Sequence, residues 1–470
     1  MSVWAEISAG LWNPWLFILF FITGCYFSFR TGFFQFFNFP TWIKKTMGSL
    51  FTSKQSKGKG KLSQFQAMAT ALGATIGTSC IAGVSAAIYF GGPGSVFWMW
   101  GSAFLGMMTG YAEKVMAIQY RHRNAAGEWE GGPMEYMTRG LNLPFLATCF
   151  ACACVLGSLT GGNMVQASSI SAALGEALGW PTWQAGLATM VCTGLVIWGG
   201  IGRIGKVSST LVPLMALLFL GGGICVIAVH SAALPKALES IFIGAFQPKA
   251  ALGGGIGYTV SAALRYGVAR GVFTNEAGMG SSAMAHANAD VKDADSQGLW
   301  GMLEVFIATL VVSTVTALVI LTAGVYQPEA ILRATQMGQD TPELFGVPLV
   351  VRSFATVFGE AAGPLLAVCL VLFAFSSLLG WCYYGERCVA RLSRVPGGKW
   401  RYRLLFLALI FVGSQVEVTA VWEMADLCNG LMALPNLLAL LLLSSQVLEI
   451  WNKARAQEAA ARQKKRTLKR

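Results

Sequence analysis

The chain has 470 residues and a net charge of +12, with only 12% charged side chains against 55% hydrophobic ones. Soluble globular chains carry about 25% charged residues. Together with a mean hydropathy of +0.57 and apolar runs of about twenty residues recurring throughout, this composition excludes an ordinary soluble enzyme and predicts an all-α polytopic membrane protein. The basic residues gather between the apolar runs and in the tail 453–470, which ends RQKKRTLKR. A positive-inside bias puts them there, so they point to a cytoplasmic, lipid-facing tail and not to nucleic acid.

Taken in order, the runs predict about eleven transmembrane helices, at 12–29, 66–90, 95–120, 143–174, 183–199, 210–229, 261–286, 298–322, 362–384, 404–421 and 428–450. MSVWAEISAG lacks the basic n-region of a cleaved signal peptide, so the first span is expected to stay. The loop after it holds Arg30, Lys44, Lys45, Lys54, Lys57, Lys59 and Lys61, which places that loop inside, the N-terminus outside and the C-terminus in the cytoplasm. A long connection with Pro328, Pro342 and Pro348 is expected to carry short surface helices. The eleven cysteines include no CxxC, and Cys25, Cys152, Cys154, Cys192, Cys225 and Cys369 lie inside apolar runs, so no disulfide is expected.

Two spans resist a plain helical reading. Residues 70–94, TALGATIGTSCIAGVSAAIYFGGPG, crowd Gly73, Thr75, Gly77, Thr78 and Ser79 into their first half, and 271–282, GVFTNEAGMGSS, have the same character. Glycine weakens a helix, and no water in a bilayer satisfies loosened backbone. A broken helix is tolerated there when its freed N–H and C=O groups face a ligand or ion, and two such spans at corresponding places point to a transporter site near the midplane. The candidates are Gly73, Thr75, Ile76, Gly77, Thr78 and Ser79 in the first span and Phe273, Thr274 and Asn275 in the second. The competing reading is a small-residue packing face between helices.

With the first span set aside, the rest divides into two blocks of five, each opening on one of these spans and running in opposite directions, as inverted repeats do. The expected division is 1–62 for the first helix and basic loop, 63–240 and 241–450 for the repeats, and 451–470 for the tail.

Glu276 lies at membrane depth, where an ionisable group costs about 2.5–3.5 kcal/mol on insertion scales and needs a task or a partner. An ion pair with Arg270 or Arg265 stands beside a direct or gating role, and Glu304 is a similar case. Asn163 and Gln166 suit an organic substrate, or glue between helices. Ser376 and Ser377 offer hydroxyl oxygens to Na+, or bonds back to their own helix. Catalytic signals are weak: GIGRIGKV, residues 200–207, has Val207 where a phosphate-binding loop needs Ser or Thr, and His122, His230 and His286 are scattered.

Several longer motifs are more specific. GGPGSVFWMW with GMMTGYAE, GGPMEYM, GRIGKVSSTLVPLMA, GVARGVFTNEAGMGSSAMAHA, FAFSSLLGWCYYGE and ADLCNGLMALPNLLALLLLS make the chain resemble the alanine or glycine:cation symporter family over residues 15–450. The resemblance implies a leucine-transporter-like fold of five-plus-five inverted repeats after one extra helix, with Na+-coupled uptake of alanine, glycine or a similar small amino acid. It implies that the backbone at Thr75–Ser79 and Phe273–Asn275 holds the substrate. It also implies that the carbonyls of Gly73 and Ile76, with Ser376 and Ser377, hold Na+, and no organic cofactor follows from it. The chain departs from the family pattern at Gly77-Thr78-Ser79-Cys80, where the family reads GTGN or GSGN, and at Phe306-Ile307-Ala308-Thr309, where it reads FIDT. Cys80 and Ala308 have no side-chain oxygen for a hard cation, so the resemblance implies that a second Na+ site is lost or rebuilt.

The expectation is therefore a multi-pass inner (plasma) membrane transporter of a small neutral amino acid, not an enzyme. Another small amino acid with proton or single-sodium coupling, a channel and a transporter-like sensor are the alternatives. A channel would line a continuous pore with polar rings, whereas the polar residues here are localised.

Overall fold

The computed structural model describes residues 7, 10–51, 62–125, 127–246, 259–337, 341–393, 397–416 and 419–467. The expected basic positions Lys54, Lys57, Lys59 and Lys61 and the last three tail residues lie outside them. Helices dominate, and the described strands form one antiparallel hairpin, β1 (His122–Arg123) with β2 (Trp129–Glu130).

In chain order the principal helices begin with α1 (Phe17–Arg30), α2 (Gln64–Thr75), α3 (Ala82–Gly91), α4 (Gly94–Gln119), α5 (Pro144–Leu159) and α6 (Val165–Leu178). They continue with α7 (Thr182–Ile197), α8 (Gly200–Val229), α9 (Leu234–Phe246), α10 (Val260–Asn275), the short α11 (Ala283–His286), α12 (Ala294–Val305) and α13 (Thr314–Thr322). The last are α14 (Gly346–Phe358), α15 (Ala362–Leu392), α16 (Gly398–Gly413), α17 (Thr419–Leu442) and α18 (Ser444–Thr467). Among the described residues, five helical runs are long and apolar enough to cross a membrane, or six if the bent pair α2–α3 is one span. Leu217, Phe145 and Leu195 are among the large apolar side chains left exposed on the helices, as a lipid-facing surface requires.

Local chemistry explains where the key helices start. At α2, Ser63 Oγ accepts from the Gln66 N–H at 3.1 Å while Gln66 Oε1 accepts from the Ser63 N–H at 3.0 Å, a reciprocal cap that satisfies two free donors. At α12, the Asp293 carboxylate accepts from the N–H groups of Asp295 and Ser296 at 3.1 and 3.2 Å. Two continuous spans contain π-helical turns, Thr160–Met164 between α5 and α6 and Phe306–Ser313 between α12 and α13. Such turns leave the regular ladder and are frequent at functional sites.

Several boundaries differ from the sequence expectation. Helix α8 starts at Gly200 and not near residue 210, because Ile201, Ile204, Gly205 and Ser208 form a buried face. The predicted span 404–421 ends at Gly413, where a Cβ would lie 2.7 Å from the Met164 backbone. There the chain turns, with Gln415 Oε1 accepting from Thr182 Oγ1 at 2.9 Å. The next helix then begins at Thr419 and tolerates Pro435 inside it. The long connection carries Pro328–Gln336 and α14, whose Leu349, Val350 and Phe354 are buried.

The two ends of the bundle are closed differently. At the hairpin end, Arg121 donates to the carbonyls of Ala287, Ala289 and Val291 at 2.8, 2.6 and 2.5 Å. Arg387 of α15 reaches Glu128 at 3.3 Å and Glu130 at 3.5 Å. Burial raises the Glu128 carboxyl, but Lys399 and Arg387 outweigh it and hold that group below the usual carboxylate range. At the other end Tyr89 and Thr341 share a 2.8 Å hydrogen bond.

The closest helix approach that fixes the site is α4 against α10. A Cβ on Gly267 would lie 2.3 Å from the Ser95 carbonyl oxygen and 2.7 Å from Trp98 Cβ. Gly267→Ala is therefore expected to push the helices apart at a cost of about 1–3 kcal/mol, seen as a lower thermal midpoint of the purified protein in detergent. An unchanged midpoint would show that the α4–α10 contact is slack.

Candidate functional site

Helix α2 stops at Thr75 because the next residues give up the ladder: Ile76 leaves helical geometry and the Gly77 N–H turns back to the Thr75 carbonyl at 2.9 Å. A single 3-10 turn, Thr78–Cys80, follows, and α3 leaves at 65°. The carbonyls released at the end of α2 are met by α15. Ser376 Oγ lies 2.9 Å from Gly73 O, and Ser377 Oγ lies 3.2 Å from Gly73 O and 2.8 Å from Ala74 O. The structure thus brings Gly73, Ser376 and Ser377 into one oxygen-rich cluster, with Ile76 three residues on from Gly73. Oxygen donors of this kind suit a hard cation.

Gly77 faces the same cluster from the other side. A Cβ there would meet Ser377 Oγ at 2.7 Å and Gln166 Oε1 at 3.3 Å. Thr78 Oγ1 and Gln166 Oε1 are buried and have no hydrogen-bond partner among the described residues, which leaves them free to meet a ligand or water. The two amide candidates separate. Gln166 donates to Gly161 O at 3.1 Å and stands beside Gly77 at the break, whereas the Asn163 amide donates to Phe406 O of α16 at 2.7 Å, and its Oδ1 is likewise buried without a partner among the described residues.

The second break begins at Asn275. Thr274 Oγ1 shares a 3.0 Å hydrogen bond with Thr309 Oγ1, and Asn275 Nδ2 donates to the same oxygen at 3.3 Å. Phe273 packs toward Trp422 of α17 with ring centroids 6.3 Å apart. The two breaks touch through Cys80, whose Sγ lies 4.0 Å from Thr274 O and 3.9 Å from Ala308 O. The two positions that depart from the family pattern are therefore neighbours in space. Arg270 does not pair with Glu276: its guanidinium lies over the Phe273 ring, 5.7 Å from the centroid, and Glu276 accepts a hydrogen bond from Ser281.

Glu304 belongs to a buried charge cluster that the sequence reading missed. Its carboxylate receives Thr75 Oγ1 at 3.2 Å, His286 Nε2 at 3.1 Å and Lys114 Nζ at 3.4 Å. Lys114 also reaches Glu113 at 3.1 Å. The second oxygen of Glu113 accepts from the N–H groups of Gly278 and Gly280, both at 2.9 Å, and from Asn436 Nδ2 at 2.7 Å. Helix α4 thereby grips the second break through Glu113 and, through Lys114 and Glu304, the last residue before the first. The signal was present in YAEKVMAIQ: an acid beside a base, each followed by apolar residues rather than by a loop.

The two broken helices meet through Cys80, with buried open polar atoms beside the first, and comparison with known proteins identifies the family. The description "Sodium:alanine symporter family" covers residues 1–469 in a family-model match. The chain belongs to the sodium:alanine symporter family. It is 38% identical over 467 residues to the sodium/alanine symporter AgcS of Methanococcus maripaludis, covering 98% of this chain and 99% of that one. It is 36% identical over 440 residues to the probable sodium/glutamine symporter GlnT of Bacillus subtilis, covering 93% and 87%. In fold it is similar to a manganese transporter of Eremococcus coleocola, with a TM-score of 0.51 at 15% sequence identity, covering 82% and 78%.

Within this family member the first break has little room at Gly77. Gly77→Ala must displace Ser377 or Gln166, an overpacking cost of about 1–3 kcal/mol falling on the candidate site. At Gly83, the second residue of α3, an added Cβ meets only ordinary contacts, 3.6 Å from Ser79 Cβ and 3.9 Å from Arg270 Cδ. Thermal stabilisation by added amino acid is expected to vanish in Gly77→Ala and to persist in Gly83→Ala. Equal behaviour of the two variants would remove Gly77 from the site.

Lys114→Met is expected to cost about 3–5 kcal/mol, because it strands Glu113 and Glu304 without their buried cation. A denaturation midpoint equal to wild type would contradict that balance.

Proposed function

We propose that the chain is a secondary active transporter that carries a small neutral amino acid, alanine or glycine, into the cell with Na+ by alternating access. Membership of the family makes it a multi-pass sodium-coupled amino acid symporter. The observation that carries the finer reading is the meeting of two helix breaks around buried polar atoms without protein partners.

In this reading the N–H groups between Gly77 and Ser79 hold the substrate carboxylate, as backbone freed at a helix break does. Carbonyls near Phe273 and Thr274 receive its ammonium group, and Thr75, Thr78, Gln166 and Asn275 complete the shell. The gap at Gly77, bounded by Ser377 and Gln166, favours a short side chain, and Ser79 narrows it further. Na+ sits among the carbonyls of Gly73 and Ile76 and the hydroxyls of Ser376 and Ser377. Cys80 and Ala308, adjacent and without side-chain oxygens, leave a single Na+ per substrate. Arg270 and Phe273, beside Trp422, act as the cover over the site. Repeats 63–240 and 241–450 rock about it in the inner membrane, with the N-terminus outside, and the hairpin end and tail in the cytoplasm.

Uptake of labelled alanine and glycine into proteoliposomes, with and without an inward Na+ gradient, tests this directly. Sodium-driven accumulation with a Hill coefficient of about 1 in Na+ is expected. Ser376→Ala is expected to raise the half-saturating Na+ concentration by about tenfold, equivalent to ~1.4 kcal/mol. The double variant Cys80→Asn with Ala308→Asp is expected to increase the number of Na+ taken up per substrate. Uptake indifferent to Na+, or an unchanged stoichiometry in the double variant, contradicts the corresponding part of the reading.

A further inference from the structure

Three carboxylates and one ammonium are buried together beside the second break. Glu113, Glu276 and Glu304 are 0%, 4% and 0% exposed, and Lys114 is 0% exposed. Gln297 Nε2 lies 2.6 Å from His286 Nδ1. With the amide donating to that nitrogen, the ring carries its one proton on Nε2, toward Glu304. Three ionised acids against one lysine would leave two negative charges in excess, away from water. A buried charge without a counterion costs several kcal/mol, and such a group takes up a proton instead.

Hydrogen bonding singles out which acid does so. Glu113 has two backbone N–H groups, an amide and the lysine, and Glu304 has the lysine, the imidazole and the Thr75 hydroxyl. Glu276 has the hydroxyl of Ser281. Glu276 also caps the C-terminal end of α10 in a left-handed conformation, φ +51°, where the partial negative charge of the helix end opposes a second negative charge. The titratable and charged groups that act on it electrostatically from the packed elements are Glu113 and Lys114 of α4, Glu304 of α12, Cys80 of the first break, Cys154 of α5 and Tyr384 of α15, with His286 of α11 bonded to Glu304. A separate observation points to a ligand here. Tyr384 Oη is fully buried and has no hydrogen-bond partner among the described residues, and the charges of Glu276 and Glu304 act on it.

We propose that Glu276 is a proton-binding site of the transport cycle. In the closed arrangement its carboxyl group holds the proton. When the second break opens to water, the O–H bond breaks, the proton passes to a water molecule, and the carboxylate is left hydrated. Reclosure requires the proton back. The proposal rests on the two breaks being the moving transport site, and it adds a pH-dependent step that the Na+ cluster on α15 does not supply.

The test is alanine uptake into proteoliposomes at a fixed Na+ gradient over a range of pH. Infrared difference spectra of the purified protein between low and high pH accompany it. Wild-type uptake is expected to be highest at low pH and to fall by up to about tenfold per pH unit once Glu276 ionises. Glu276→Gln, a fixed mimic of the protonated acid, is expected to lose this slope, and Glu276→Asp to keep it with a displaced midpoint. The wild-type spectrum is expected to lose a carboxylic-acid C=O band as pH rises, and Glu276→Gln to lack that band. Flat wild-type uptake, a full slope in Glu276→Gln, or an infrared band unchanged by that substitution would each overturn the proposal. Absence of alanine uptake at every pH, with the band still dependent on Glu276, would count against the transport reading and leave the proton site standing.

Discussion

Backbone hydrogen bonds at membrane depth have no substitute in lipid, so every peptide group released by a break must find a partner inside the protein. That constraint orders this molecule. The carbonyls released at the end of α2 are met by Ser376 and Ser377, and the amides released after α10 by the Glu113 carboxylate. α15 and α4 are therefore the supports of the two breaks. Thr78 Oγ1 and Gln166 Oε1 are among the buried groups left open, at or beside the first break, where they are not needed to hold the frame.

Using a carboxylate to hold the second break creates an electrostatic debt that spreads through the core. Glu113 brings a charge to fully buried surroundings, and Lys114 beside it supplies the opposite one. Lys114 is shared with Glu304, whose other oxygen receives the Thr75 hydroxyl, so the charge cluster couples the second break to the end of the helix before the first. Neutral side chains could hold either break separately. An ion cluster holds them jointly, because moving one charge changes the energy of the others at short range and low dielectric.

The breaks were legible because their chemistry is local: glycine, threonine and serine crowded into an apolar run conflict with a helix in lipid, and the conflict is visible without a partner. The same holds for the serine pair on α15. Gln166 and Asn163 were not separable, since both stand on one short stretch and only the neighbouring helix decides that Asn163 turns to Phe406. Glu113 and Lys114 do not stand out in the sequence, because adjacent opposite charges usually mark a membrane surface. Their burial depends on Glu304 and on Gly278 and Gly280, far away in sequence. The same limit applies to Arg270, which sequence spacing put near Glu276 and packing put over Phe273. The end of α16 followed from a contact with Met164 that the chain alone does not display.

The closures at the hairpin end obey a different rule from the core. Leu62 exchanges backbone hydrogen bonds with Asn288 and Asp290, tying the entry of α2 to the segment after α11, and Arg121 pins that segment with three carbonyl contacts. These groups lie at the end of the bundle, and when they part, water takes their place, so each hydrogen bond contributes only about 0.5–1.5 kcal/mol net. A clasp made of several such bonds is firm while closed and inexpensive to open. The ion cluster of Glu113, Lys114 and Glu304 has no such replacement and moves as a unit or not at all. The proposed alternating access would use this contrast: hydratable clasps release at the surface, while the ion cluster keeps the two breaks in register as the path between them changes side.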